Sequence, residues 1–258
     1  MSDKKPLILI TNDDGITSKG ITELINLAQK LGNVVVVAPD GPRSAQSNAL
    51  TVENPIYSQK LPSNNENVEL FQCSGTPTDC VKLALNRVLK RKPDLLLSGI
   101  NHGSNAAINV IYSGTMGAVF EGCINQIPSV GLSLTNHSKN ADFSATLPFF
   151  EAIVRKFLEH PLPQGVCLNV NAPQGEIKGV KVCRQTKGYW TEEFDARISP
   201  NGNNYFWLTG SFINQELGDQ ETDEWALANG YISVVPTHID ITEYSVLDDL
   251  KKQGYEKI

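Results

Sequence analysis

Two adjacent carboxylates, Asp13 and Asp14, are the residues whose type and spacing most directly suggest chemistry. They follow an aliphatic run at residues 7–10, which predicts a strand buried on both faces, as in a parallel sheet. Ligands of open α/β sheets bind beyond the carboxyl ends of such strands. Two like charges this close repel each other, and a divalent cation would remove the repulsion. The alternative is that both aspartates cap a helix that starts near Ile16.

Further oxygen-bearing side chains follow other predicted strands. A β-branched strand at residues 33–38 leads into a turn-rich loop with Ser44, and a strand at residues 93–101 ends at Asn101. Because the carboxyl ends of parallel strands meet at one edge, these side chains are expected near the two aspartates. An oxygen ligand set without His or Cys suits Mg²⁺, Mn²⁺ or Ca²⁺. Loop hydrogen bonding is the alternative for Ser44.

A possible anion site lies at residues 113–115, where Ser113, Gly114 and Thr115 introduce a helix. Free backbone N–H groups and two hydroxyls at a helix start can bind a phosphate. The segment matches neither a Walker loop nor the GxGxxG pattern. Plain helix capping and close packing of the glycines remain the alternative.

Strands and helices alternate along the first part of the chain. Helices are predicted at residues 16–31, 76–89 and 143–160, and another is introduced by residues 113–115; further strands are predicted at 127–134 and 165–171. Residues 51–71 resemble an antiparallel hairpin or edge strands. This order predicts an α/β fold with a mostly parallel sheet and helices on both faces, a three-layer arrangement.

The alternation stops after about residue 175. Residues 180–186 and 204–210 are predicted as antiparallel strands, with aromatic residues exposed between them at 188–194, which is typical of a subunit interface. An acidic stretch at 216–224 is expected to be a solvated loop. A short helix, a last strand at 231–236 and a tail helix near 245–253 complete the chain. We therefore expect a core at residues 1–178 and an extension at 179–258 that is integrated with it.

Composition narrows the class of protein. The chain has 258 residues, 40% hydrophobic and 19% charged, with a formal net charge of −6. It lacks the roughly 20-residue apolar run of a membrane helix, and Met1 to Lys5 do not resemble a signal peptide, so a cytoplasmic location without a membrane partner is expected. The negative charge disfavours long nucleic acids as partners. The five cysteines lack C-x-x-C spacing and are expected to be reduced and buried.

Several separated motifs occur along the chain. They are ITNDDG at residues 10–15, APD at 38–40 with Arg43 and Ser44, GTPTDCV at 75–81, SGINHG at 98–103 and YSGT at 112–115. Together they resemble the SurE family of survival proteins, which are metal-dependent 5'-nucleotidases. Segments at 184–185 and 236–238 are similar too. Thr78 and Met116 depart from the common family pattern, but neither is at a metal position.

The resemblance implies a Rossmann-like core and hydrolysis of nucleoside monophosphates by homodimers or homotetramers, built through a C-terminal hairpin and an exchanged tail. It implies one divalent cation per subunit, Mg²⁺ or Mn²⁺, and the matching metal positions are Asp13, Asp14, Ser44 and Asn101. We expect Asp13 and Asp14 to be catalytic. The expected substrate-binding residues are Asn12, His102, Asn105, Ser113, Gly114 and Thr115.

Three alternatives stay open at this level. Water could attack phosphorus directly, activated by the cation, or Asp13 could form an aspartyl-phosphate. The sequence does not assign the acid or base role to either aspartate. A nucleotide-binding or sensing protein without turnover is the alternative function.

Overall fold

The computed structural model describes residues 5–258, in which strands and helices alternate as far as residue 172. The strands are β1 (Leu7–Thr11), β2 (Asn33–Pro39), β3 (Ser58–Leu61), β4 (Val68–Cys73), β5 (Leu95–His102), β6 (Ser129–Leu134), β7 (Val166–Ala172), β8 (Gly179–Val182), β9 (Gly188–Thr191), β10 (Phe194–Ile198), β11 (Asn204–Leu208), β12 (Ser211–Asn214) and β13 (Tyr231–His238). The helices are α1 (Lys19–Ala28), α2 (Pro77–Leu83), α3 (Asn109–Tyr112), α4 (Gly114–Ile124), α5 (Leu147–Glu159), α6 (Asp223–Ala228) and α7 (Leu247–Lys252). A π-helical turn (Ala84–Val88) continues α2, and 3₁₀ turns (Tyr244–Val246 and Tyr255–Lys257) flank α7.

A nine-stranded sheet in the order β3-β4-β2-β1-β5-β6-β7-β13-β8 forms the centre. The strands from β4 to β7 along this order run parallel, and β3 and β13 are antiparallel to their neighbours β4 and β7. The chain adds β2 on one side of β1 and β5 on the other. The strand order therefore reverses at β1, and ligand crevices form at such reversals.

Helices cover both faces of the sheet, because each central strand is apolar on both sides. Ile8 and Ile10 of β1 lie in one buried cluster with residues of α1 and α5. Leu9, between them, lies in a second cluster with residues of α2 and α4. Side chains alternate across a strand, so the continuous aliphatic run supplies both clusters. The predicted three-layer α/β fold is confirmed.

The pairing of the C-terminal strands differs from the sequence prediction. β8 is not part of an antiparallel extension, because it pairs in parallel with β13 at the edge of the central sheet. β11 pairs with β10, and β12 pairs with β9, in two separate antiparallel pairs. A two-residue periodicity shows which residues share a face but does not select the partner strand, which explains the error.

The acidic stretch 216–224 is only partly a solvated loop. Glu216 accepts a hydrogen bond of 2.8 Å from Arg184, and Thr222 and Asp223 are buried. Thr222 caps α6, since its side chain accepts from the backbone N–H of Trp225. Buried hydrogen-bonding partners, rather than net charge, therefore decide the position of this stretch.

All five cysteines are free and buried, as expected. Within residues 5–258, no helix combines the length and the apolarity needed to cross a membrane. Residues 1–4 lie outside the described residues. They belong to the N-terminal segment, Met1 to Lys5, that was predicted not to be a signal peptide.

The contact between α1 and β5 leaves no room for a side chain at Gly20, and this generates a test of the packing. A Cβ at Gly20 would lie 2.0 Å from the carbonyl oxygen of Ile100, whereas a Cβ at Gly41 would meet nothing within 4 Å. We expect Gly20→Ala to lower the free energy of unfolding by about 1 to 3 kcal/mol, the usual cost of overpacking. Gly41→Ala is the control and should unfold at the parental urea concentration. Equal midpoints for both variants would contradict the packing described.

Candidate functional site

The side chains that follow separate strands meet at the predicted edge of the sheet. Asp13, Ser44 and Asn101 line one cavity of about 410 Å³, a volume typical of small-molecule sites. Asp14 lies beside them, since it is bound to His102 at the end of β5. The cavity is next to β1, where the strand order reverses.

Asp13 is almost fully buried against the first turn of α4. Its Oδ1 accepts a hydrogen bond of 2.6 Å from the hydroxyl of Thr115. Burial raises the pKa of the Asp13 carboxyl to about 6, the Thr115 hydrogen bond opposes this rise, and the charge of Asp14 adds to it. In the metal-free protein, burial therefore makes ionisation of Asp13 unfavourable, and the pKa of this carboxyl lies close to neutral pH.

Asp14 is oriented by two N–H groups of His102. Its Oδ2 accepts from the backbone N–H at 3.1 Å and lies 2.8 Å from the ring Nδ1. The His102 ring packs edge-on against Phe143, and its Nε2 is buried without a partner among the described residues. The capping alternative for the two aspartates is wrong, because the side chain that caps α1 is that of Ser18.

Asn101 and Ser44 complete the oxygen set. The Asn101 amide donates to the carbonyl of Gly103 at 3.0 Å, which leaves its Oδ1 free to accept from or bind a ligand. Ser44 is exposed in the loop after β2. This loop is held over the site by Arg43, whose backbone N–H donates to the carbonyl of Asp13 at 2.7 Å and whose guanidinium reaches Asp40 and Ser74.

The chemistry of these donors fits a hard divalent cation. Within residues 5–258 no group of three or more His, Cys, Asp or Glu is placed to hold a metal, as a zinc site of those residues would require. The set here instead combines two carboxylates with an amide oxygen and a hydroxyl, which is the ligand type of Mg²⁺ or Mn²⁺. A cation would also offset the repulsion that helps to raise the pKa of Asp13.

The residues expected to bind substrate divide into two groups. His102, Asn105 and Ser113 line the cavity. The Asn105 amide donates to Ser133 at 2.9 Å, and the Ser113 hydroxyl accepts from the backbone N–H of Met116.

The other three lie behind the cavity wall. Thr115 is fully buried and holds Asp13. Gly114 packs against Asp13 so closely that a Cβ would lie 2.9 Å from the Asp13 Cβ. Asn12 donates to the carbonyl of Gly15 and to Ser18 within the turn after β1. Thr115 and Gly114 therefore contact Asp13, whereas Asn12 holds the turn that follows the two aspartates.

Several cavity residues were not identified from the sequence, and four of them come from α3 and the C-terminal segment. Asn109 of α3, Trp190 of β9, Phe212 of β12 and Glu224 of α6 line the same cavity. The aromatic segment 188–194 was recognised, but as a subunit interface. Trp190 is instead anchored inward, since its indole N–H donates to Asn109 at 2.9 Å. No local pattern marks Glu224, which lies in the stretch expected to be solvated.

The comparisons with known proteins agree with the motifs. The family model described as Survival protein SurE matches residues 8–192. Proteins named 5'-nucleotidase SurE are 52% identical over 256 residues in Bacteroides thetaiotaomicron, covering 99% of this chain and 98% of the relative, and 49% identical over 257 residues in Phocaeicola vulgatus, covering 99% and 100%. The crystal structure of the SurE protein from Aquifex aeolicus is 38% identical and superposes with a TM-score of 0.82, covering 96% of this chain and 99% of that chain. This chain therefore belongs to the SurE family.

Proposed function

We propose that this protein is a metal-dependent 5'-nucleotidase that releases phosphate from nucleoside monophosphates. One observation carries the proposal. Asp13, Asp14 and Asn101 lie together with the N-terminus of α4 at one cavity. The relatives named 5'-nucleotidase SurE, about half identical over nearly the whole chain, support it.

In this proposal Asp13, Asp14, Ser44 and Asn101 hold one Mg²⁺ or Mn²⁺. When bound, the cation neutralises charge on the carboxylates and the phosphate and polarises a phosphoryl oxygen. His102 keeps Asp14 oriented through its two N–H groups. Thr115 does the same for Asp13. Both are positioning residues, since their polar contacts are made to the aspartates.

The chain also supplies groups for the phosphate and for the water. Ser113 and Asn105 line the cavity and can donate to phosphate oxygens that develop charge. With a pKa of about 6 in the metal-free protein, Asp13 is mostly ionised at neutral pH and is therefore ready to hold the cation. Each aspartate also has one carboxylate oxygen that accepts no hydrogen bond from the described residues and that can accept the proton of the attacking water.

A phosphate-release assay tests the proposed function. The purified protein should liberate phosphate from AMP and GMP in the presence of Mn²⁺ or Mg²⁺, should stop in EDTA, and should recover when the metal is restored. Full activity of rigorously metal-free protein would reject the metal site. Calorimetric binding of AMP without any phosphate release would instead favour the nucleotide-binding alternative.

Asp13→Asn should separate activity from stability. Turnover should fall at least about 100-fold, because the loss of a residue that only orients a metal ligand can already cost that much. Because the folded pKa of Asp13 is raised from 3.8 to about 6, its stabilising contribution is complete below pH 3.8 and is lost as the pH rises through 6. In EDTA at pH 8 the variant should therefore be more stable than the parent by on the order of 2 to 3 kcal/mol, and this gain should shrink toward pH 4.

Urea unfolding in EDTA at both pH values measures this difference. Asp248→Asn, which changes an exposed carboxylate of α7, is the matched control and should show no such pH-dependent gain. Unchanged turnover in Asp13→Asn would place the chemistry elsewhere.

We further propose that the protein forms a homo-oligomer through β10 and β11. These two strands pair only with each other among the described residues, and isolated two-stranded hairpins are marginally stable. Phe194, Phe206 and Trp207 are each at least 60% exposed. An exposed apolar hairpin of this kind is typical of a subunit interface, and a second copy of the chain is the proposed partner.

Light scattering at micromolar concentration should give a mass of two or four subunits. Phe206→Ser should shift the mass toward the monomer, whereas Tyr57→Ser, at an exposed aromatic residue outside β10 and β11, should not. A parental mass of 28.2 kDa, that of one chain, would contradict the proposal.

We also propose a cytoplasmic location and no long nucleic-acid partner. The free thiols of all five cysteines are compatible with a reducing compartment. The net charge of −6 opposes binding to a phosphate backbone.

A further inference from the structure

The cavity continues beyond the aspartates to a second group of side chains that the phosphate chemistry does not use. Asn109, Trp190, Phe212 and Glu224 line it together with Asp13 and Asn101. These four residues, which we call the nucleoside end, come from α3, the β9–β12 pair and α6. A bound phosphate alone would leave this part of the cavity empty. The side chains at the nucleoside end therefore indicate what the rest of the substrate is.

Glu224 has an unused acceptor. Its backbone N–H is held by the Thr186 hydroxyl at 3.1 Å and by Asp223 Oδ1 at 2.8 Å. Its own carboxylate has no hydrogen-bond or ion-pair partner in residues 5–258, although it is half-buried. Burial and the neighbouring Asp223 charge raise the pKa of the Glu224 carboxyl. A partly desolvated carboxylate that faces a cavity is stabilised when a ligand supplies hydrogen-bond donors.

Trp190 provides a rigid aromatic surface in the same region. Its indole N–H donates to Asn109 Oδ1 at 2.9 Å, and its ring packs edge-on against Phe212 with 6.0 Å between ring centroids. Gly188 leaves room for Phe212, since a Cβ there would lie 2.3 Å from the Phe212 ring. A fixed indole can contact a base of any type, because every base has an aromatic face.

The loop between β5 and α3 gives the order of these groups. Asn105, which we assign to the phosphate, lies two residues before Ala107, whose backbone N–H donates to Asp223 Oδ2 at 2.9 Å. Asn109, two residues farther on, holds Trp190. Glu224 adjoins Asp223, so α6 meets this loop near its middle, between Asn105 and Asn109, and Glu224 lines the same cavity. In a nucleotide the ribose occupies this middle position.

We propose that Glu224 accepts hydrogen bonds from the 2'- and 3'-hydroxyls of a ribonucleoside 5'-monophosphate while Trp190 contacts the base. This inference rests on the proposed nucleotidase function. A carboxylate is the usual acceptor for ribose hydroxyls in nucleotide sites. The enzyme should therefore prefer ribonucleotides to 2'-deoxyribonucleotides, with little selection among bases.

Steady-state kinetics with AMP, 2'-deoxy-AMP and phenyl phosphate test the inference in saturating Mn²⁺. The parent should favour AMP over 2'-deoxy-AMP by about tenfold in kcat/KM, the low end for one hydrogen bond to a charged group. Glu224→Ala should bring this ratio close to one, mainly by raising KM for AMP, and should lower the rate on phenyl phosphate less than the rate on AMP. Glu224→Gln, which keeps an acceptor oxygen without the charge, should fall between them.

Glu221→Gln is the matched control, because Glu221 is an exposed carboxylate outside the cavity, and it should retain the parental ratio. Equal parental rates on AMP and 2'-deoxy-AMP, or an unchanged ratio in Glu224→Ala, would overturn the role of Glu224. With GMP as an additional substrate, an effect of Glu224→Ala that is confined to the ratio of GMP to AMP would also overturn it, since Glu224 would then contact the base. Absence of phosphate release from all three substrates would instead refute the nucleotidase function itself.

Discussion

The buried carboxylate of Asp13 is the constraint on which the rest of the site depends. It lies where β1 ends, and the first turn of α4 is packed directly against it through Gly114 and Thr115. An ionised carboxylate in such a place is costly unless positive potential compensates it. The N-terminus of α4 supplies part of this compensation, and a cation in the cavity would supply the rest. The fold thus holds a buried negative charge that a metal ion in the cavity would compensate.

A second carboxylate, Asp223, joins the C-terminal segment to this site. It is buried and accepts from the backbone N–H and the hydroxyl of Thr186, and from the backbone N–H of Ala107. Ala107 has a φ of 51°, a left-handed conformation that non-glycine residues rarely adopt, and the hydrogen bond to Asp223 helps to hold it. Three residues of the segment after residue 179, Trp190, Phe212 and Glu224, therefore line the same cavity as Asp13.

Buried amides stiffen the opposite wall. Asn171 Oδ1 accepts from the backbone N–H of Asn105 at 2.7 Å, and the Asn171 amide donates to Asn169 at 2.9 Å. Asn169 in turn donates to the carbonyl of Asn105 at 2.8 Å. Polar side chains in the middle of β7 are tolerated because each is paired, and paired buried networks restrict motion. Asn105 is therefore held at both its N–H and its carbonyl.

The sequence alone determined the central elements and the residues at their ends, because periodicity and capping are local properties. The run from Leu7 to Ile10 predicted a strand buried on both faces, and Asp13, Ser44 and Asn101 were expected to meet because parallel strands share an edge. Tertiary structure decided what depends on distant partners. Residues 107 and 223 are 116 positions apart, and only folding brings Glu224 to the cavity. The pairing of β8 with β13 was likewise invisible locally, because alternation along a strand shows a face without selecting a neighbour.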